Sequence, residues 1–275
     1  MRVLWCLLSI AFLPLVGAAA RDQAPDTATL MAHVRDTLKR EYARPERFTY
    51  VEQSRDVDIS RFGGVSIGPL QTFEVYPAPF GDRWKRLIAV DGKPLDPAEL
   101  ARNDAKHRRD LEKQQAETPR QRAARQRRDA EETRDRDAII ADAYAVFEPS
   151  FAGRETINGQ PTIVLMLKPR PDARVTTREG GWLKLAAGKM WVSESDHAIA
   201  RLRIATTEDL SIGWGVVARL EPGSGFDYTR TRVGDAWLPS ELTVEGSGRT
   251  LLFRRFAVKT VTTYSRHQRY TSPVN

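Results

Sequence analysis

The chain has 275 residues, a formal net charge of +7 and a single cysteine, Cys6. Because Cys6 falls in the apolar N-terminal segment, everything after that segment lacks a disulfide, a thiolate nucleophile and a cysteine metal ligand, and must be stabilised by its core. A net charge of this size speaks to surface binding rather than to fold.

The first twenty residues read as an export signal. Arg2 supplies a short positive region, Val3 to Val16 an apolar run, and Gly17 to Ala20 the small residues of a cleavage site. Cleavage after Ala20 is expected, making the protein periplasmic or secreted and excluding nucleic acid as a partner. The alternative is an uncleaved anchor, for which the apolar run is short. Residues 21–275 are expected to form one domain.

Asp26 to Tyr42 has helical periodicity, with Asp26 as N-cap and Leu30, Val34, Leu38 and Tyr42 on one face, and Pro45 prevents continuation. Strand composition follows at Phe48 to Val57, Gln71 to Tyr76 and Arg83 to Val90, ending at an Asp91-Gly92 turn. From Glu99 to Asp137 there are twelve Lys or Arg and ten Asp or Glu, with Leu100 and Leu111 the only large aliphatic residues. A helix here can bury no stripe. It is expected to be a solvated insertion over 96–138, broken near Pro119 and supported by i,i+4 pairs Arg108–Glu112, Arg127–Glu131 and Arg128–Glu132. Such a segment is either a spacer or an arm that meets an envelope protein or an anionic membrane surface through residues 99–137. Ile139, Ile140, Ala143, Tyr144 and Phe147 share a helical face that would dock its end on the core.

Beyond Phe151 the pattern is β. Turn signals stand at Asn158-Gly159, Gly180-Gly181, Ser195-Asp196, Gly223 to Gly225, Gly234-Asp235 and Gly246 to Gly248. Thr162 to Leu167 is apolar on both faces, as in a central strand. Leu202, Ile204, Leu242, Val244 and Phe253 are expected on a covered face, with Arg201, Arg203, Glu241 and Glu245 facing water. The fold class is α+β: a large curved antiparallel sheet, a half-barrel of about ten or eleven strands, with helices on its concave side and the charged helical insertion.

No catalytic or metal motif emerges. His33, His107, His197 and His267 have no ligand spacing, and Ser224 and Ser247 lack the context of a nucleophile elbow. Neither a cofactor nor a metal is expected, and a hydrolase ranks third among the function classes. The aromatic residues spread over several strands suit either an ordinary core or an apolar pocket. Phe73, Val75, Leu165, Leu167, Trp191, Leu202, Phe226 and Phe253 are the candidate ligand-binding residues.

Gly188-Lys189-Met190-Trp191-Val192 followed by Ala198-Ile199-Ala200-Arg201-Leu202, and the segment Val233 to Ser240, resemble strand patterns of the periplasmic outer-membrane lipoprotein carrier (LolA-like) superfamily. The resemblance implies a half-barrel and a non-enzymatic protein that holds an acyl chain of a lipid or lipoprotein. An envelope interaction or stress-sensor protein working through the charged insertion is the second class.

Overall fold

The computed structural model describes residues 24–43, 48–59, 64–77, 83–212, 218–250 and 254–270. The segment read as an export signal and the candidate residue Phe253 lie outside them. Keeping Phe253 on one face with Phe256 and Val258 would take a bulge at Arg254-Arg255, but these two pair with Thr250 and Arg249 in an unshifted antiparallel register.

The chain runs α1 (Thr27–Ala43), β1 (Phe48–Ile59), β2 (Val65–Ile67), β3 (Gln71–Pro77), β4 (Arg83–Val90), β5 (Lys93–Pro94), α2 (Pro97–Gln115) and α3 (Pro119–Val146). There follow β6 (Phe147–Ile157), β7 (Gln160–Pro169), α4 (Arg178–Leu183), β8 (Ala186–Ser193), β9 (Ile199–Thr206), β10 (Leu210–Ile212), β11 (Ala218–Leu220), β12 (Gly225–Val233), β13 (Ala236–Thr250) and β14 (Arg254–Arg269). The fourteen strands among the described residues belong to one sheet of main order β5-β4-β3-β1-β14-β13-β12-β9-β8-β7-β6, and every pairing is antiparallel. The two ends of that order do not pair, so the sheet is curved but not closed. The strands beyond the expected ten or eleven include β2, β5, β10 and β11, only two or three residues each and too short to carry an alternating pattern.

Register fixes which side chains share a face. Phe151, Leu165, Met190, Leu202, Tyr228, Leu242, Thr262 and Ser54 form one row across β6, β7, β8, β9, β12, β13, β14 and β1. Ile204, Phe226, Val244, Thr260 and Asp56 form the next row on the same side. This inner face is apolar toward β7 and polar toward β1. The main core lies at its apolar end, where Leu30 and Val34 of α1 and Val146 of α3 pack on Ile163, Leu165, Leu167, Met190, Val192 and Ile204. The four-residue repeat read for α1 therefore faces the sheet, and Asp26 caps it by accepting from the Ala28 and Thr29 amides. Tyr42, the last of that series, is instead half exposed and lies under the Arg136 guanidinium, 4.7 Å from its ring centroid.

The insertion breaks where Pro119 predicts. Thr118 caps α3 in a reciprocal arrangement with Gln121, and most of residues 98–137 is exposed. Its ion pairs differ from the expected set. Arg108–Glu112, Arg127–Glu131 and Arg128–Glu132 are not formed; instead Arg125 turns back to Glu117 across the α2–α3 joint and also meets Asp129. Exposed pairs contribute so little that geometry at the joint decides between them. α2 docks on the outer face of the sheet: Arg86 forks onto Asp104, and Trp84 stacks on His107 at 3.9 Å and on Tyr76 at 5.5 Å.

Two turn expectations are corrected. Gly180-Gly181 lies within α4, which Thr177 caps through the Gly180 amide, and Gly180 packs against the buried carboxylate of Asp142. Gly246 to Gly248 is not a hairpin turn, because β13 runs straight through it while β11 pairs alongside. Gly188 shows how closely the curved strands approach: a Cβ there would lie 1.9 Å from the Arg203 carbonyl oxygen. Gly188→Ala should therefore cost about 1–3 kcal/mol by overpacking, read as a lower urea midpoint at unchanged slope.

Candidate functional site

Of the eight residues singled out from the sequence, six share the inner face. Leu165, Leu167, Leu202 and Phe226 belong to the helix-covered core or pack against it, while Val75 and Phe73 stand on β3, opposite Tyr50 and Glu52. Trp191 is on the other face. Its indole Nε1–H donates to Glu155 Oε2 (2.8 Å), and the Arg201 guanidinium covers its ring at 4.8 Å. Arg201 in turn makes a two-pronged pair with Asp227, at 2.8 and 2.5 Å. Arg201 does point away from the core, but it is anchored rather than free in water.

The cover runs out partway along the inner face. Leu202, Ile204, Leu242 and Val244 face one way as their alternation requires, yet Val244 is 43% exposed. Val258 on the neighbouring strand is 39% exposed, and the residue directly opposite it is Gly246, which offers no side chain. Phe226, Leu242, Val244, Val258 and, two positions before it, Phe256 thus make an apolar strip over β12, β13 and β14. Exposed Asp56 and Asp58 of β1 border it, Asp56 accepting from the Thr260 hydroxyl at 2.7 Å.

At the other end of the same face is a cluster that the sequence reading missed. Tyr50 and Tyr264 meet edge to face at 5.8 Å, and Arg83 donates to the Tyr50 hydroxyl at 2.7 Å. Buried Glu52 accepts from Lys85 Nζ at 2.7 Å. Burial pushes the Tyr264 phenol up to about 12 and also raises that of Tyr228, so both remain neutral donors at physiological pH. Arg230 ties this region to α1 by donating to Glu41 and to the Trp237 and Ile199 carbonyls. The missed signal is the period-two series Tyr50, Glu52, Ser54, Asp56 on β1, which marks the polar half of an inner face.

The face therefore changes from dry and covered, through apolar and open, to hydrogen-bonding. It can hold a ligand with an extended apolar part and a polar end. The best-formed hollows among the described residues lie elsewhere. One of about 160 Å³ opens on the outer face between Arg203, Asp227, Glu245 and Lys259. Another of about 380 Å³ lies at the β4–β5–α2 junction, lined by Val90, Lys93, Leu95 and Glu99. The histidines read as isolated are partly brought together, His33 and His197 having ring centroids 4.6 Å apart. No group of three metal-ligating side chains occurs among the described residues, and no described helix is long and apolar enough to cross a membrane.

No protein-family model matches this chain, and no curated protein does. Similar solved structures do exist. A LolA superfamily protein from Nitrosomonas europaea is 9% identical, with 87% of this chain and 94% of that one covered and a TM-score of 0.28. A putative outer membrane lipoprotein-sorting protein domain from Vibrio parahaemolyticus is 10% identical over 87% and 93%, with a TM-score of 0.30. The MucA/MucB complex of Pseudomonas aeruginosa includes a chain 10% identical over 87% and 94%, with a TM-score of 0.26.

Proposed function

We propose that this chain is an exported, non-enzymatic binding protein that holds an acyl chain, of a lipid or a lipoprotein, along the open strip of its inner face. The observation that carries the reading is the uncovered apolar strip Phe226, Leu242, Val244, Val258 and Phe256, continuous with a helix-covered core on one side and the tyrosine cluster on the other. Burying apolar area of this kind contributes about 25 cal/mol per Å², so an extended hydrocarbon is the ligand chemistry the strip rewards. Phe73, Val75, Leu202 and Phe226 flank the proposed path; Leu165 and Leu167 form its packed floor.

Native mass spectrometry of the purified chain, with extraction and identification of co-purifying lipid, tests this directly. The companion variant is Val244→Glu with Val258→Glu. Both positions are already well exposed, so stability should change by under about 1 kcal/mol. Binding of a fluorescent fatty acid should fall at least about tenfold. A purified chain that takes up no lipid, or a double variant that binds as the parent does, would sink the reading.

A further inference from the structure

The charges of the long arm are balanced in total but not in position. From Thr118 to Arg128 there are five arginines and no carboxylate; from Asp129 to Asp137 there are five carboxylates and only two arginines. α3 is thus basic in its first turns, farthest from the core, and acidic in the turns that lead back to it. Arg125 is occupied by Glu117 and Asp129. Arg120, Arg122, Arg127 and Arg128 are exposed, and none of them enters an ion pair or a side-chain hydrogen bond among the described residues. At about 100° per residue, Arg120, Arg127 and Arg128 share roughly 100° of arc. Residues 118–137 are exposed except at Arg125, so about 30 Å of helix stands clear of the sheet.

The partner follows from what the arm lacks as well as from what it carries. Between Glu112 and Ala138 there is no aromatic and no large aliphatic residue. A protein interface gains most of its strength from buried aromatic or aliphatic anchors, and the arm has none to offer. An interfacial helix that sinks into the acyl region needs an apolar face, which is also missing. What is left is a cluster of free guanidinium groups, whose planar fork matches phosphate oxygens. We infer that the tip of the arm, through Arg120, Arg127 and Arg128, binds the phosphate headgroups of an anionic phospholipid surface peripherally, without insertion. The acidic turns from Asp129 onward are repelled by the same surface, so the arm meets it tip-first and holds the sheet away from it.

Sedimentation of the purified full chain with vesicles tests this, using phosphatidylcholine alone and phosphatidylcholine with about 30 mol% phosphatidylglycerol. Binding should favour the anionic vesicles at about 50 mM salt and be lost at about 300 mM, where screening is short-ranged. Each basic residue near such a surface is worth about fivefold, so Arg120→Gln/Arg127→Gln/Arg128→Gln should weaken binding at least about tenfold. Lys168→Gln/Arg174→Gln/Lys189→Gln removes the same charge from exposed positions on the body and should leave binding near the parent's. A gain-of-function variant keeps the test independent of any folding defect: Asp129→Asn/Glu131→Gln/Glu132→Gln should bind anionic vesicles several-fold more tightly. Equal losses in the tip and body variants would reduce the effect to net charge and overturn the proposal. So would binding that ignores salt or the tip variant, or a tip that binds soluble poly-glutamate but not the vesicles, which would point to an acidic protein instead.

Discussion

Leu165→Asp should yield no folded protein. Leu165 has no exposed surface, sits at the centre of β7 between Phe151 and Met190, and belongs to the cluster that α1 closes with Leu30 and Val34. An aspartate there is a carboxylate without a partner, and the loss of burial adds to the cost of desolvating it. Several kcal/mol is expected from each, against a total stability of about 5–15 kcal/mol for a domain of ordinary stability. Expression should shift to the insoluble fraction, and any soluble chain should lack a cooperative urea transition. Arg201→Asp is the instructive comparison. Alternation alone makes it a cheap surface change, but the structure places the new carboxylate beside Asp227 and uncovers the Trp191 ring. Its cost should rise to about 1–3 kcal/mol, still well short of the core substitution. A folded, cooperative Leu165→Asp chain would mean that the covered face is assigned to the wrong side.

The elements that were legible in the sequence are those whose pattern is local. The four-residue repeat of α1 and the two-residue alternation of β9 and β13 are periodicities of a single segment, and the direction each side chain faces follows them, although Tyr42 and Val244 face their side without being covered. The capping signal of Asp26 worked for the same reason, since it acts on amides two and three residues away. What failed depends on a distant segment. Gly180-Gly181 carries a turn signal, but its small size serves to admit Asp142 of α3 against a helix. Gly246 and Gly248 likewise signal a turn, whereas the strand continues because β11 must pass within contact of its backbone.

The face proposed for binding was half legible. Picking apolar residues at strand positions found one face for six of the seven candidates that the described residues include. The face of Trp191 was not predicted, because β7 and β8 are apolar on both sides and alternation cannot then tell inside from outside. Composition also concealed the charge asymmetry of the arm. A nearly equal count of acids and bases over Glu99 to Asp137 suggests a neutral spacer, and only the order of residues along α3 separates the basic tip from the acidic root.

Asp142 governs how that root is attached, and removing its charge should have a large and pH-dependent effect. The carboxylate is buried yet accepts from the Thr177 hydroxyl (2.7 Å) and amide (2.8 Å) and from the Thr176 amide (3.0 Å) and hydroxyl (3.2 Å). These bonds, that of the Thr177 hydroxyl first, hold its pKa below the ordinary value of 3.8 despite desolvation. A carboxylate whose folded pKa is depressed contributes stability that is fully present above the unfolded value and is lost as pH falls through the folded one. At pH 7 Asp142→Asn should therefore melt about 5 °C or more below the parent, since an amide cannot accept all four bonds and adds two donors facing donors. The gap should hold constant down to about pH 5 and narrow as pH falls below about 4, where the parent begins to lose what the variant never had. Gly180 supplies the cross-check. A Cβ there would lie 2.3 Å from Asp142 Oδ2 and 2.8 Å from Asp142 Cβ, so Gly180→Ala should be costly in the parent and much less so in an Asp142→Gly background, which removes both atoms. Additive effects of the two substitutions, or a melting gap that does not depend on pH between 3 and 7, would show that this carboxylate does not secure α3 to the start of α4.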